Sequence, residues 1–361
     1  MSDEQQKKMP VTLLGGGCAS LSLAARSNEF NSHQFTLIEQ KDRIADDHTW
    51  GFWAMPWLSH VVPKTHKSWN HWRIISTNKT VELSSQQHPY CAISRHEWLN
   101  HCRAQAIDFG AVFSSNSNTY GTQQVLDSRT PATPENTMLQ HFLGHEVKSD
   151  KDVFEPSTAI LMDFRCDQSQ GMHFIYFLPF TSRHALVEST LFSTKLVPQI
   201  FYENAITQYL EKNLGCKDYA VKRIEQGVIP LAELQQLDPT LTGIGANGGA
   251  IRPSSGYAFT FIHKQINQIV STARPGQPLL VNRPHSHFEI FMDGVFLNVI
   301  RCHPALAPKI FMSLASSLTG DEFAKFLSGE ASVSIWFKVI LAMPKLLFLR
   351  ALLPAKESKK I

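Results

Sequence analysis

VTLLGGGCASLSLAAR, Val11 to Arg26, followed by QFTLIEQ, Gln34 to Gln40, decides how the chain begins. Val11 to Leu14 read as a short strand that runs straight into Gly15, Gly16 and Gly17. A small-residue helical pattern follows, and then a second strand ending at Glu39. The signature is G-x-G-x-x-S, with Ser20 at the third glycine position. Gly15 permits the tight turn, and Gly17 lets backbone amides approach a pyrophosphate drawn to the helix start. Ser20 is small enough for helix and strand to lie close. Glu39 stands 24 residues after Gly15, near the roughly 20-residue spacing at which an acid accepts hydrogen bonds from an adenosine ribose. Strand, turn, helix, strand and acid together point to FAD or NAD. FAD is favoured because nothing further along repeats the pattern for a second dinucleotide.

The rest of the chain bounds what such a unit can belong to. With 361 residues, 43% apolar and 18% charged, it has the composition of a globular protein with one large core or two cooperating domains. A net charge of +3 and the lack of an arginine-rich segment argue against nucleic acid as a partner. Six cysteines without a CxxC pair, and the polar start MSDEQQKKMP, predict free thiols in a reducing cytoplasm. No uncharged apolar run reaches the roughly 18 residues that suggest a spanning helix. The tail WFKVILAMPKLLFLRALLP, Trp336 to Pro354, carries Lys338, Lys345 and Arg350 and no acid. It reads as a helix kinked at Pro344 that either lies in a membrane interface or docks on the protein's own core.

In the middle of the chain, Trp50, Trp53, Trp57, Trp69 and Trp72 crowd together, as core or as the wall of an apolar pocket. Asp46, Asp47 and His48 have no metal-spaced partner, and no metal is assigned. Ser94 and Glu97 open a helix that closes on Gly110. Val125 to Arg129 is a short strand, and TMLQHFLGHEV, Thr137 to Val147, is an apolar segment with Gly144 at its turn. Met162 to Phe180 and Ala185 to Phe192 form a hairpin in a β-sheet layer. On its period-2 alternation Leu186, Glu188 and Thr190 share one face, so a buried Leu186 implies a buried Glu188 carboxyl. Further on, Gly248, Gly249, Arg252, Pro253, Ser254 and Ser255 precede a helical pattern. That arrangement is a second anion site for flavin or phosphate, or a plain turn. HSH, His285 to His287, reads as polar loop and strand, and from Pro308 onward the spacing is helical.

Taken in order, LLGGGCAS, HTWGFW, QHFLGHEV, MDFRCDQSQGMHFIYFLPF, ALVEST, GVIP, GGAIRPSSGYAF, MDGVFLNVI and FLSGEAS resemble the FAD-containing lycopene cyclases of the bacterial beta-cyclase type, over nearly the whole chain. The resemblance implies a mixed α/β fold. A Rossmann-like FAD-binding domain of flavin hydroxylase type would take residues 1–57, 83–150 and 225–300. An inserted β-sheet substrate layer would take 58–82 and 151–224, and a helical cap and tail 301–361.

The same resemblance implies reduced FAD with NADPH as reductant, a linear carotenoid (lycopene) as substrate, and a peripheral place at the cytoplasmic face of a membrane. It makes Glu188, the first acid of the family's motif, catalytic, as proton donor, cation stabiliser or both. Trp50, Trp53 and His145 would wall the substrate. Ser189 stands where that motif has a second acid, and His145 where the family has tryptophan. Thr130 replaces a frequent glycine, and the stretch between residues 107 and 124 is short. These departures imply a changed substrate or a weakened flavin site. Two other functions share the nucleotide end: a flavin monooxygenase of the hydroxylase type, and a polyene-binding relative without catalysis.

Overall fold

A computed structural model describes residues 8–30, 32–39, 47–115 and 124–352. Asp46, part of the short 107–124 stretch and the end of the tail from residue 353 lie outside the described residues.

The first layer is a parallel sheet. Strands β1 (Met9–Leu14) and β2 (His33–Ile38) pair in parallel around helix α1 (Cys18–Ala24). All of Val11 to Leu14 is buried, as expected for a parallel strand covered on both faces. Helix α2 (Arg95–Asp108) begins where Ser94 Oγ accepts from the Glu97 amide at 3.1 Å, which satisfies one of the orphan donors of its first turn.

A small antiparallel sheet joins β3 (Thr49–Trp53), β4 (Lys67–Trp69) and β7 (Tyr90–Ser94) in the order β3-β7-β4. The second β layer is a seven-stranded sheet. Its strands are β5 (His71–Ile75), β6 (Thr80–Ser84), β10 (Met138–Ser149), β11 (Thr158–Asp163), β12 (Met172–Pro179), β13 (His184–Ser193) and β14 (Tyr219–Leu231). They run in the order β14-β10-β13-β12-β11-β5-β6. The remaining strands β8 (Val112–Ser114), β9 (Gln124–Asp127) and β15 (Thr242–Gly243) complete the parallel sheet in the order β15-β9-β1-β2-β8.

Two expectations change here. Gly144 is not at a turn: β10 is one continuous strand, hydrogen-bonded to β13 on one side and β14 on the other. Residues 138–149 and 225–231 are therefore paired within the seven-stranded sheet, which extends past the boundaries at 150 and 225 on both sides.

Helix α3 (Gln199–Gln208) covers one face of this sheet, over a core that includes Leu143, Val187 and Ile206. Helix α4 (Phe259–Thr272) buries Phe259, Phe261, Ile262, Ile266 and Ile269. Ser286 and Glu289 cap one another at the start of α5 (His287–Cys302), so HSH opens a helix and not a strand. Helices α6 (Ala307–Ser317), α7 (Gly320–Leu327), α8 (Val333–Ala342) and α9 (Lys345–Ala351) complete the chain's end, with the break at Pro344. Ile335 and Val339 dock α8 inward, while Val333 (87% exposed) and Phe337 (63%) face outward, as does Leu346 of α9. Among the described residues no single helix is long and apolar enough to cross a membrane.

Candidate active site

Between the seven-stranded sheet, β3 and the C-terminal helices lies a cavity of about 1200 Å³. That exceeds the roughly 300–1,000 Å³ of an ordinary small-molecule pocket. Its walls are largely apolar and aromatic, with Trp50, Trp53, Tyr90, Tyr176, Tyr257, Phe259 and Phe323 among them.

Glu188 enters this cavity because of strand parity. Leu186, Glu188, Thr190 and Phe192 of β13 share a face, of which Glu188, Thr190 and Phe192 line the cavity, while Val187 and Leu191 join the core under α3. Glu188 is only 9% exposed. Burial first, and then the neighbouring Glu225 carboxyl, push Glu188 well above the usual carboxylate range. Glu188 and Glu225 both stand in register with Gly144, one on each side of β10. A Cβ on Gly144 would lie 2.8 Å from Cγ of Glu188 and 3.1 Å from Cγ of Glu225, so glycine is what lets the two side chains meet over the middle strand. Tyr176 of the neighbouring strand β12 pairs with Glu188, and its hydroxyl is hydrogen-bonded to that of Tyr90 at 2.8 Å. Burial and then the Glu188 carboxyl hold the Tyr176 phenol well above its ordinary range.

The expected substrate contacts divide. Trp50 lies on the cavity wall with its ring 5.0 Å from Phe259, and Trp53 lies there beside Tyr90 at 4.8 Å. His145 does not join them. It is one residue out of phase with Gly144, so its ring points through the opposite face of the sheet toward Glu203 of α3. Ser189 lies on that same far face, where its hydroxyl bonds His173 Nε2 at 2.8 Å. An acid at 189 would not have reached the cavity, and the second carboxyl near Glu188 comes instead from Glu225.

The glycine-rich loop divides as well. Ser254 and Ser255 line the cavity. Arg252 also borders it, but its guanidinium is turned to a protein partner and not toward an anion site. Arg252 Nε approaches Asp293 Oδ2 at 3.2 Å, and Nη1 donates to the Phe326 carbonyl at 2.6 Å. Pro253 is buried. Gly248 turns tightly against the Gly243 backbone, and Gly249 sits at φ 75° against Arg283. Neither lies on the cavity wall, since both serve the close packing of a short 3₁₀ turn.

At the nucleotide end the cradle fits a dinucleotide. Gly15 takes φ 96°, a conformation that favours glycine, and a Cβ there would lie 2.8 Å from Ser128 Oγ. A Cβ on Gly16 would collide with the Glu39 carboxylate, and Gly17 faces open space. Glu39 is held by Arg103 through two bonds of 2.7 Å, which orient its carboxylate and leave it lone pairs for further donors. Ser20 contributes packing: it is fully buried and donates to Ser128 Oγ at 2.7 Å.

Sequence reasoning missed Glu225, Tyr90, Tyr176 and Tyr257. The tyrosines carry no local signal that separates a cavity wall from a core. Glu225 was hidden by an inverted pattern on β14, where Arg223 and Glu225 point in while Ile224 and Val228 are each 52% exposed.

The lycopene beta-cyclase of Pseudescherichia vulneris is 25% identical over 295 residues, 74% of either chain. That of Pantoea ananas is 24% identical over 284 residues, 70% of this chain and 72% of its own. A geranylgeranyl bacteriochlorophyll reductase-like protein from Thermoplasma acidophilum shares the fold at a TM-score of 0.55 and 13% identity, over 95% of this chain and 99% of the other. A flavin-dependent halogenase from Xanthomonas campestris does so at 0.53 and 11%, over 95% and 83%. The fold is thus the mixed α/β one expected, with a parallel sheet, an added β layer and a helical end. The family described as "Lycopene cyclase protein" matches residues 106–353, more than half of the 361, and the chain belongs to the lycopene cyclase family.

Proposed function

We propose that the protein is an intramolecular lyase of carotenoid biosynthesis that closes linear end groups of lycopene into beta-ionone rings, with Glu188 as the acid. The observation that carries this reading is a buried, protonatable carboxyl set into the wall of a large aromatic cavity. Relatives named lycopene beta-cyclase support the substrate class. The Glu188 O–H adds its proton to a terminal alkene carbon, the resulting cation is attacked by the neighbouring double bond, and a ring C–H then gives up a proton. Atoms balance and no electrons are exchanged. Aromatic faces of Trp50, Tyr176 and Tyr257 line the path, and each ring facing a cation contributes about 0.5–2 kcal/mol.

Gly15, Gly16, Gly17 and Glu39 with Arg103, together with Ser254 and Ser255, would hold FAD, with the parallel sheet as the nucleotide layer and the seven-stranded sheet as the substrate layer. When bound and reduced, with NADPH as reductant, FAD supplies a negative charge that favours a nearby cation. Expression in lycopene-accumulating bacteria, followed by chromatography of the pigments, tests the activity. Cyclised carotenoid is expected, and unaltered lycopene would overturn the reading.

The same reading places the protein peripherally at the cytoplasmic face of the membrane. Its support is the outward apolar side of α8 and α9, beside Trp336, Leu349 and Leu352 of the cavity wall, with basic Lys345 and Arg350 and no acid between Trp336 and Leu352. Phe337 and Leu346 are exposed and lie outside the cavity wall, so Phe337→Ser/Leu346→Ser removes apolar surface without touching the site. In flotation with anionic phospholipid vesicles the double variant is expected to stay largely unbound while wild type floats. Equal flotation would remove α8 and α9 as the contact.

A further inference from the structure

Glu225 is buried behind Glu188, outside the residues that line the cavity. Its two oxygens live in different surroundings. Oε2 accepts from Arg223 Nη1 at 2.7 Å, from the Thr49 amide at 3.0 Å and from the Thr49 hydroxyl at 3.3 Å. Oε1 is buried and has no donor among the described residues while both glutamates are ionised. A proton on Glu188 supplies that donor.

Arg223 is itself tied down. Its Nε donates to Glu146 Oε2 at 2.8 Å, its Nη1 to the Asp47 carbonyl at 2.8 Å and its Nη2 to the Thr49 hydroxyl at 2.8 Å. Glu146 in turn bonds His184 Nε2 at 2.7 Å. The chain therefore runs from the half-exposed His184 through two ion pairs to the buried glutamates. Two neighbouring carboxylates in a dry site cannot both stay ionised. The one clamped by a guanidinium and two Thr49 donors keeps the charge, because protonating it would waste a charge-assisted bond. The other holds the proton.

We propose that Glu225 is a positioning residue, whose Arg223-held carboxylate fixes the reactive proton on Glu188 and aims that O–H through Oε1. The inference rests on Glu188 being the acid of the proposed reaction. Once Glu188 has given its proton to the alkene, two adjacent anions remain, and the Glu188 carboxylate is the stronger base for them. The proton lost from the closed ring returns to Glu188, and the pair is restored without a net proton. Besides Glu225 and Arg223, the titratable groups acting on Glu188 are Tyr176 from β12 and Tyr257 from the loop before α4, with Tyr90 of β7 hydrogen-bonded behind Tyr176.

The test is infrared difference spectroscopy of the full-length protein across pH, together with the pH profile of cyclisation. Wild type is expected to show a carboxylic acid C=O stretch at neutral pH that Glu188→Gln abolishes. Glu225→Gln is expected to keep the band but to ionise it about one pH unit or more lower, with the alkaline limb of kcat moving down equally and KM unchanged. Glu225→Asp, which keeps the charge, is expected to restore the wild-type limb. No acid band in wild type, or one indifferent to Glu188→Gln, overturns the reading of Glu188 itself. A band that is lost in Glu188→Gln but titrates as in wild type in Glu225→Gln overturns only the role of Glu225. If Glu225→Gln does not fold, Arg223→Gln serves: removing that positive charge is expected to move the limb upward, and an unmoved limb rejects the proposal.

Discussion

Glu188→Gln is expected to lower the yield of cyclised carotenoid by roughly 10²–10⁴-fold, the range in which a positioned general acid contributes. The amide matches the carboxyl in size and offers hydrogen bonds, but no proton that can be transferred. Its effect on stability should have the opposite sign. Burial, then Glu225, raise the Glu188 carboxyl in the folded protein above its unfolded value. Between those two values the folded state binds more protons than the unfolded one, so stability falls as pH rises through that window. Glutamine removes this cost. The variant is therefore expected to melt no lower than wild type near about pH 8, and to lose less stability between about pH 5 and pH 8. Pigment chromatography reads the first effect and thermal melts at two pH values read the second. A variant that melts far below wild type would trace the lost activity to misfolding.

Arg252→Met is expected to destabilise the protein by about 3–5 kcal/mol, the cost of leaving one partner of a buried ion pair alone. Arg252 is 2% exposed and Asp293 is also buried. The guanidinium further donates to the Phe326 carbonyl and lies 5.0 Å over the Phe326 ring, tying the loop before α4 to α5 and α7. Arg252→Met/Asp293→Leu removes both charges at once and is expected to recover most of the loss, since a matched apolar pair carries no stranded ion. Chemical denaturation measures both variants. Flavin content per folded molecule is expected to stay unchanged, because the side chain spends its donors inside the protein. A selective loss of flavin at unchanged stability would restore Arg252 to the cofactor site.

These two residues show where sequence reasoning reaches and where it stops. For Glu188 the period of a strand was enough: Leu186 is buried, and the residue two positions along shares its face. For Arg252 the neighbouring glycines and serines suggested an anion, but Asp293 is 41 residues away and reaches it only when α5 packs against the loop. His145 and Ser189 drew notice through the resemblance, as the positions where the family has a tryptophan wall and a second acid, and they adjoin Gly144 and Glu188 along the chain. In a strand, adjacency means opposite faces, and both side chains belong to the layer under α3.

Local spacing by itself determined the glycine turn between β1 and α1, the cap at Ser94, the break at Pro344 and the burial of Glu188, because each depends on residues within a few positions or on the fixed period of one element. Which carboxyl stands beside Glu188 was decided only by tertiary structure. β14 is an edge strand that turns Ile224 outward, against the usual alternation, and brings Glu225 into register with Gly144. The two glutamates lie on strands separated by β10, and they meet because the strand between them carries no side chain at that one position.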